Sequence, residues 1–114
     1  MTDALVVLTT APDESRAAQL AETLVQEGVA ACVHILPQGR SVYRWEGAIH
    51  TDAEWSLLIK TTRDLYPRLE TRLQALHPYE VPEILALEVS RGHGAYLDWL
   101  AANVSSKIHP SFSL

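Results

Sequence analysis

Residues 29–62 constrain the fold more than any other part of the chain. They show no helical period and divide into two β-like arms, 29–45 and 48–62, with Glu46 and Gly47 between them as the reversal. In the second arm Trp55, Leu57, Ile59 and Thr61 alternate with Glu54, Ser56, Leu58 and Lys60, setting a mostly apolar face against a mixed one. Arms of roughly 15 residues at about 3.3 Å per residue reach about 50 Å. A domain of this length has a radius of gyration near 13 Å, so a diameter of about 35 Å. The hairpin therefore overhangs its own core, and its tip leaves strand edges together with Val42, Tyr43, Trp45 and Ile49 in need of cover. Self-association is one remedy. The other is that Pro37, Gln38 and Gly39 interrupt the first arm and residues 37–40, through Arg40, form a loop that folds the distal part back onto a short sheet.

The flanks supply strands and helices in alternation. Residues 4–8 are short, apolar and β-branched in the middle, which predicts a strand buried on both faces. Pro12, Asp13 and Glu14 then start a helix that places Ala17, Leu20, Ala21, Leu24 and Val25 on one stripe and ends at Gly28. A second amphipathic helix spans 64–76 on Leu65, Leu69, Leu73 and Leu76, with Pro67 tolerated in its first turn. Two prolines make 77–82 a stiff loop; a strand over 83–89 and a last helix over 95–103 follow, then a tail to residue 114. The order is β-α-β-β-α-β-α in a single domain over 1–114: an α+β split βαβ sandwich of one mixed sheet covered by helices, with an extra C-terminal helix.

Composition removes several function classes. Nine Lys and Arg stand against fourteen Asp and Glu, a net charge of −5 with no basic run, which is wrong for a phosphate backbone; no nucleic-acid partner is expected. The N-terminus has no basic region and its apolar run stops after five residues, so neither a secretory signal nor a membrane span is expected. Cys32 is the only cysteine, which suits a reducing, cytoplasmic compartment. No catalytic triad order, His-Glu-x-x-His motif or phosphate-gripping glycine loop can be drawn, so an enzyme is not supported.

The chemistry that remains is local. His77, Tyr79, Glu80 and Glu83 fall within seven residues on the loop stiffened by Pro78 and Pro82, so an imidazole, a phenol and two carboxylates are held close together. Imidazole with carboxylate suits Cu or Zn, whereas a histidine at a helix end also serves as a cap that donates to free carbonyls. Cys32 in a strand is either a small hydrophobe or a thiolate ligand. Lys60 either meets an anion or pairs with a carboxylate. Tyr43 and Trp45 at the hairpin tip read as interface anchors more readily than as stacking platforms for a ligand. His34, His50, His93 and His109 lack ligand spacing and read as surface residues.

Six strings in register, TAPDE at 10–14, GVAACV at 28–33, SVYRWEG at 41–47, IKTT at 59–62, HPYEVPE at 77–83 and YLDWL at 96–100, resemble the CutA divalent-ion tolerance proteins over about residues 4–103. The resemblance implies a ferredoxin-like βαββαβ subunit with a long second hairpin, assembled as a homotrimer in which hairpins add strands across subunit boundaries. It also implies a likeness to the trimeric PII signalling proteins, whose ligands sit in inter-subunit clefts. A divalent cation such as Cu or Zn, or a small anionic ligand, is the expected partner. Lys60, Tyr79, Glu83, Tyr43 and Trp45 are the implied ligand-lining positions, and His77, Glu83 and Cys32 the implied metal ligands. Thr9 and Leu76 stand where copper-linked members can carry a cysteine and a second histidine, a departure that weighs against tight copper binding.

Overall fold

The first strand, β1 (Ala4–Ala11), runs three residues past its expected end and alternates rather than being buried throughout. Val7, Thr9 and Ala11 are enclosed, whereas Val6, Leu8 and Thr10 on the other face are only half-buried. The cause is that the chain's main core lies on one side of the sheet. The computed structural model describes residues 2–105, so the tail beyond Ser105 and His109 lie outside the described residues.

Helix α1 (Glu14–Gln26) begins where Asp13 accepts a hydrogen bond from the Arg16 N–H at 2.8 Å, and buries Ala17, Leu20, Ala21 and Leu24. Val25, expected on the same stripe, is exposed. Gly28 follows with φ 76°, the left-handed conformation that ends the helix. Two long strands come next, β2 (Cys32–Trp45) and β3 (Ala48–Thr62), reversed at Glu46 and Gly47 with φ of 50° and 81°. Pro37 does not open a loop. The pairing shifts by one residue between Leu36 and Gly39, a bulge that leaves Pro37 out of the ladder, and resumes from Gly39 opposite Glu54 to Trp45 opposite Ala48. The hairpin is therefore continuous. The molecule measures 44 Å along its longest axis with a radius of gyration of 14.7 Å, and Val42 and Ile49 near the tip are 68% and 62% exposed.

Helix α2 (Tyr66–Leu76) starts two residues later than expected, with Pro67 in the first turn where its missing N–H is harmless. Strand β4 (Leu85–Glu88) is shorter than the 83–89 expected, which leaves Glu83 in the loop ahead of it. Helix α3 (Gly94–Ala102) closes the order. The sheet runs β2-β3-β1-β4. Every neighbouring pair is antiparallel, correcting the expectation of a mixed sheet: β3 inserts between β1 and β2, so those two parallel strands never touch. This is the ferredoxin-like α+β sandwich.

The core packs Val7, Leu57 and Ile59 of the sheet against Leu20 and Leu24 of α1 and Leu69 and Leu73 of α2. A smaller cluster joins Leu100 of α3 to Ala4 and Ala31. Arg72 of α2 grips Glu27 at the end of α1 through two bonds of 2.6 and 2.7 Å. Among the described residues no helix is long and apolar enough to cross a membrane.

Candidate functional site

The end of α2 determines the geometry around it. His77 caps the helix, its N–H reaching the Leu73 carbonyl at 2.9 Å, and Pro78 forces it into an extended conformation. That turn drives the imidazole inward, where it is 8% exposed. Its Nε2 lies 2.6 Å from the Thr10 carbonyl, which can only accept, and its Nδ1 accepts from the Tyr79 N–H at 3.1 Å. Both ring nitrogens are thus engaged, and the partners select the neutral Nε2–H tautomer. Of the two roles open to this side chain, hydrogen-bonding partner or ligand, the fold occupies it with the first. The carbonyl it serves belongs to β1, not to its own helix.

Tyr79 packs its ring against His77, centroids 4.9 Å apart, and sends its hydroxyl to Glu54 Oε2 at 2.6 Å. The Thr10 hydroxyl donates to the same oxygen at 3.2 Å. Burial, then the hydrogen bond to Glu54, holds the Tyr79 phenol well above its ordinary range. Further out on the hairpin the Tyr43 hydroxyl donates to Asp52, which likewise raises the Tyr43 phenol, and the Tyr43 ring stacks on His50.

Between these two phenol–carboxylate pairs lies a cleft of about 730 Å³. Ser41, Val42, Tyr43, Trp45, Asp52 and Glu54 line its hairpin side; Pro78, Tyr79, Glu80, Val81 and Glu83 line its loop side, with Thr10 from β1. Tyr43, Trp45, Tyr79 and Glu83 from the expected set therefore meet in one place. His77 stands behind Tyr79 rather than in the lining.

Cys32 and Lys60 are elsewhere. They face each other across the β2–β3 ladder, Lys60 Nζ 4.0 Å from Cys32 Sγ. Lys60 is six residues along β3 from Glu54, about 20 Å at strand spacing. Within one chain these two do not join the His77 loop. Among the described residues no three His, Cys, Asp or Glu side chains are grouped so as to hold a metal ion.

Thr10, Asp52 and Glu54 are polar cleft residues with hydrogen-bonding roles that sequence reasoning missed. A signal existed for Asp52: counting outward from the Glu46-Gly47 turn puts Ser41 opposite it and Tyr43 one pair nearer the tip on the same face. Glu54 lies 25 residues from Tyr79 in sequence, and only the folded register brings the two together.

A family profile described as "CutA1 divalent ion tolerance protein" matches residues 5–103. The chain is 51% identical over 98 residues to the "Divalent-cation tolerance protein CutA" of Thermus thermophilus, covering 86% of this chain and 95% of that protein. It is 44% identical to the "Protein CutA, chloroplastic" of Arabidopsis thaliana, covering 84% of this chain and 53% of that protein. The crystal structure of CutA from Xylella fastidiosa superposes with a TM-score of 0.89 at 43% identity, covering 91% of this chain and 100% of that one.

Proposed function

The chain belongs to the CutA1 divalent-ion tolerance family, and from that premise we propose that it works as a homotrimeric, non-enzymatic binding protein of one domain per chain, its ligand held in the cleft between hairpin and loop. The observation that carries this reading is the cleft itself, where the hairpin's aromatic residues face a proline-stiffened loop. The trimer is supported by the overhang: Val42, Trp45 and Ile49 lie exposed beyond the core, and among the described residues the outer edge of β2 has no strand beside it. We place the protein in the cytoplasm on the strength of its lone cysteine, although the Arabidopsis relative is named chloroplastic.

The sign of the cleft favours a cation. Asp52, Glu54, Glu80 and Glu83 line it and, among the described residues, no Lys or Arg does, so the small anionic ligand implied through Lys60 has no support there. A resident Cu or Zn centre does not fit one chain, since His77 has no free nitrogen and Cys32 lies apart. A divalent cation is instead read as cargo, met by carboxylate oxygens and exchanged.

Isothermal titration with Cu²⁺ and Zn²⁺ tests this. Saturable binding that Glu54→Gln weakens and Cys32→Ser leaves alone supports the cleft; binding indifferent to Glu54 removes it. Sedimentation tests the assembly: Trp45→Asp weakens the trimer, and a monomeric wild type overturns it. A second reading, an adaptor trimer with no small ligand, is favoured by one observation, that His77, Tyr79 and Thr10 already satisfy one another and Glu54. There His77→Ala lowers the thermal midpoint with no ligand heat in either protein.

A further inference from the structure

The cleft has a feature that carboxylate binding of a bare metal ion leaves unused. Three aromatic rings, Tyr43, Trp45 and Tyr79, line it beside the four carboxylates. Aromatic faces are poor metal ligands, but their negative quadrupole attracts organic cations. Within the single chain Tyr43 and Trp45 are 41% and 47% exposed, and the Tyr43 ring has one face against His50, which leaves the other for a visitor. A cavity of about 730 Å³ is of the size that encloses small organic molecules, which runs from about 300 to 1,000 Å³.

Among the described residues no ion pair neutralises the charge in the cleft. Among the described residues the ion pairs are Arg16–Asp13, Arg63–Glu88 and Arg72–Glu27, and none involves a cleft carboxylate. What Asp52 and Glu54 receive is hydrogen bonds from hydroxyls, the Tyr43 phenol at Asp52 and the Tyr79 phenol with Thr10 at Glu54. Such a bond settles a carboxylate without cancelling its charge, and it polarises the ring so that its face grows more negative. Both walls therefore present the same pairing of an electron-rich ring with an anion.

We propose that the cleft takes a small organic ammonium ion, its charge set against the carboxylates and its alkyl surface against Tyr43, Trp45 and Tyr79. The inference rests on the reading that this cleft is the ligand site, and names the class of ligand. An ammonium ion needs no set of three converging donors, and it gains from rings that a hydrated metal cannot use. An anion or an uncharged alcohol lacks the charge that the site answers.

Isothermal titration with tetramethylammonium chloride, tert-butanol and ZnCl₂ at constant ionic strength is the test. Tetramethylammonium saturates a site and the uncharged isostere does not. Trp45→Ala weakens tetramethylammonium about five-fold or more, within the range of a cation–π contact, and weakens Zn²⁺ by less; Glu54→Gln weakens both. Sedimentation accompanies each variant, and if Trp45→Ala alters the assembly, Tyr43→Leu serves in its place. Equal heats for the ammonium ion and the alcohol overturn the inference. Zn²⁺ binding that depends on Glu54, without any tetramethylammonium binding, overturns the inference but keeps the cleft. No binding of either cation overturns both.

Discussion

Tyr79 and Glu54, 25 residues apart in sequence, are joined by a 2.6 Å hydrogen bond that ties the loop after α2 to the middle of the long hairpin. The bond does for the cleft what Arg72 and Glu27 do for the helices: it ties together two elements far apart in sequence. Because Thr10 donates to the same Glu54 oxygen and accepts from His77 through its carbonyl, the loop, β1 and β3 form one connected polar group.

Removing that hydroxyl isolates its contribution. Tyr79→Phe keeps the ring against His77 and deletes the donor. The variant is expected to lose about 1 kcal/mol, less than the roughly 1.5–3 kcal/mol of a fully buried bond to a charged group, because the site is half-open to water. Urea unfolding measures the loss. A variant as stable as wild type refutes the tie.

Alkaline pH tests the same bond from the other side. Phenols whose folded pKa is raised keep protons that the unfolded chain releases, so their stabilisation is complete below about pH 10 and declines as pH rises above it. Tyr79 is raised by burial and Glu54; Tyr66 is pushed up to about 12 by burial and its bond to Glu70, so its contribution fades from about pH 10 towards 12. Thermal midpoints taken between pH 8 and 11.5 fall beyond pH 10 in wild type. In Tyr79→Phe the fall is shallower, and identical slopes would exclude Tyr79 from the effect.

The Arg72–Glu27 pair should be strongly asymmetric on mutation. Glu27 has only 7% of its side chain exposed and Arg72 35%. Arg72→Leu strands a buried carboxylate. It is expected to cost about 2 kcal/mol, below the roughly 3–5 kcal/mol of a fully buried pair because Arg72 is partly hydrated. Replacing both residues, Glu27→Gln with Arg72→Leu, recovers much of the loss. A double variant as unstable as the single one would show that packing of the arginine stem, not charge, is what matters.

The elements of this fold were legible where period and punctuation agree. Ala17, Leu20 and Leu24 mark α1, Gly28 ends it, and Glu46-Gly47 turns the hairpin, because each is a local constraint on backbone or face. Pro37 was ambiguous: a proline inside a strand pattern signals either a loop or a bulge, and the pairing beyond it decides for the bulge. The candidate site was half legible for the same reason. Tyr79 and Glu83 share a proline-stiffened segment that sequence reveals, whereas Glu54 reaches Tyr79 only through β1–β3 and β2–β3 register. Lys60 and Glu54 share a strand face, but the distance along that strand separates their surroundings.

Thr9 offers the sharpest contrast within one side-chain type. It is 1% exposed on β1, and among the described residues its hydroxyl has no hydrogen-bond partner, an arrangement that desolvates a polar group without return. Thr61, fully buried on the neighbouring strand, instead donates to the Val29 carbonyl at 2.7 Å. Valine matches threonine in shape and favours strands, so the substitution isolates the hydroxyl in each case. Thr9→Val is expected to stabilise by about 1 kcal/mol, and Thr61→Val to destabilise by about as much by leaving the Val29 carbonyl unpaired. Thermal melts of the two variants against wild type therefore move in opposite directions, each by about 4 °C or more if the unit that melts is one domain. A loss of stability in Thr9→Val would mean that a buried water serves its hydroxyl, and a gain in Thr61→Val would mean that its bond to Val29 contributes nothing to the folded state.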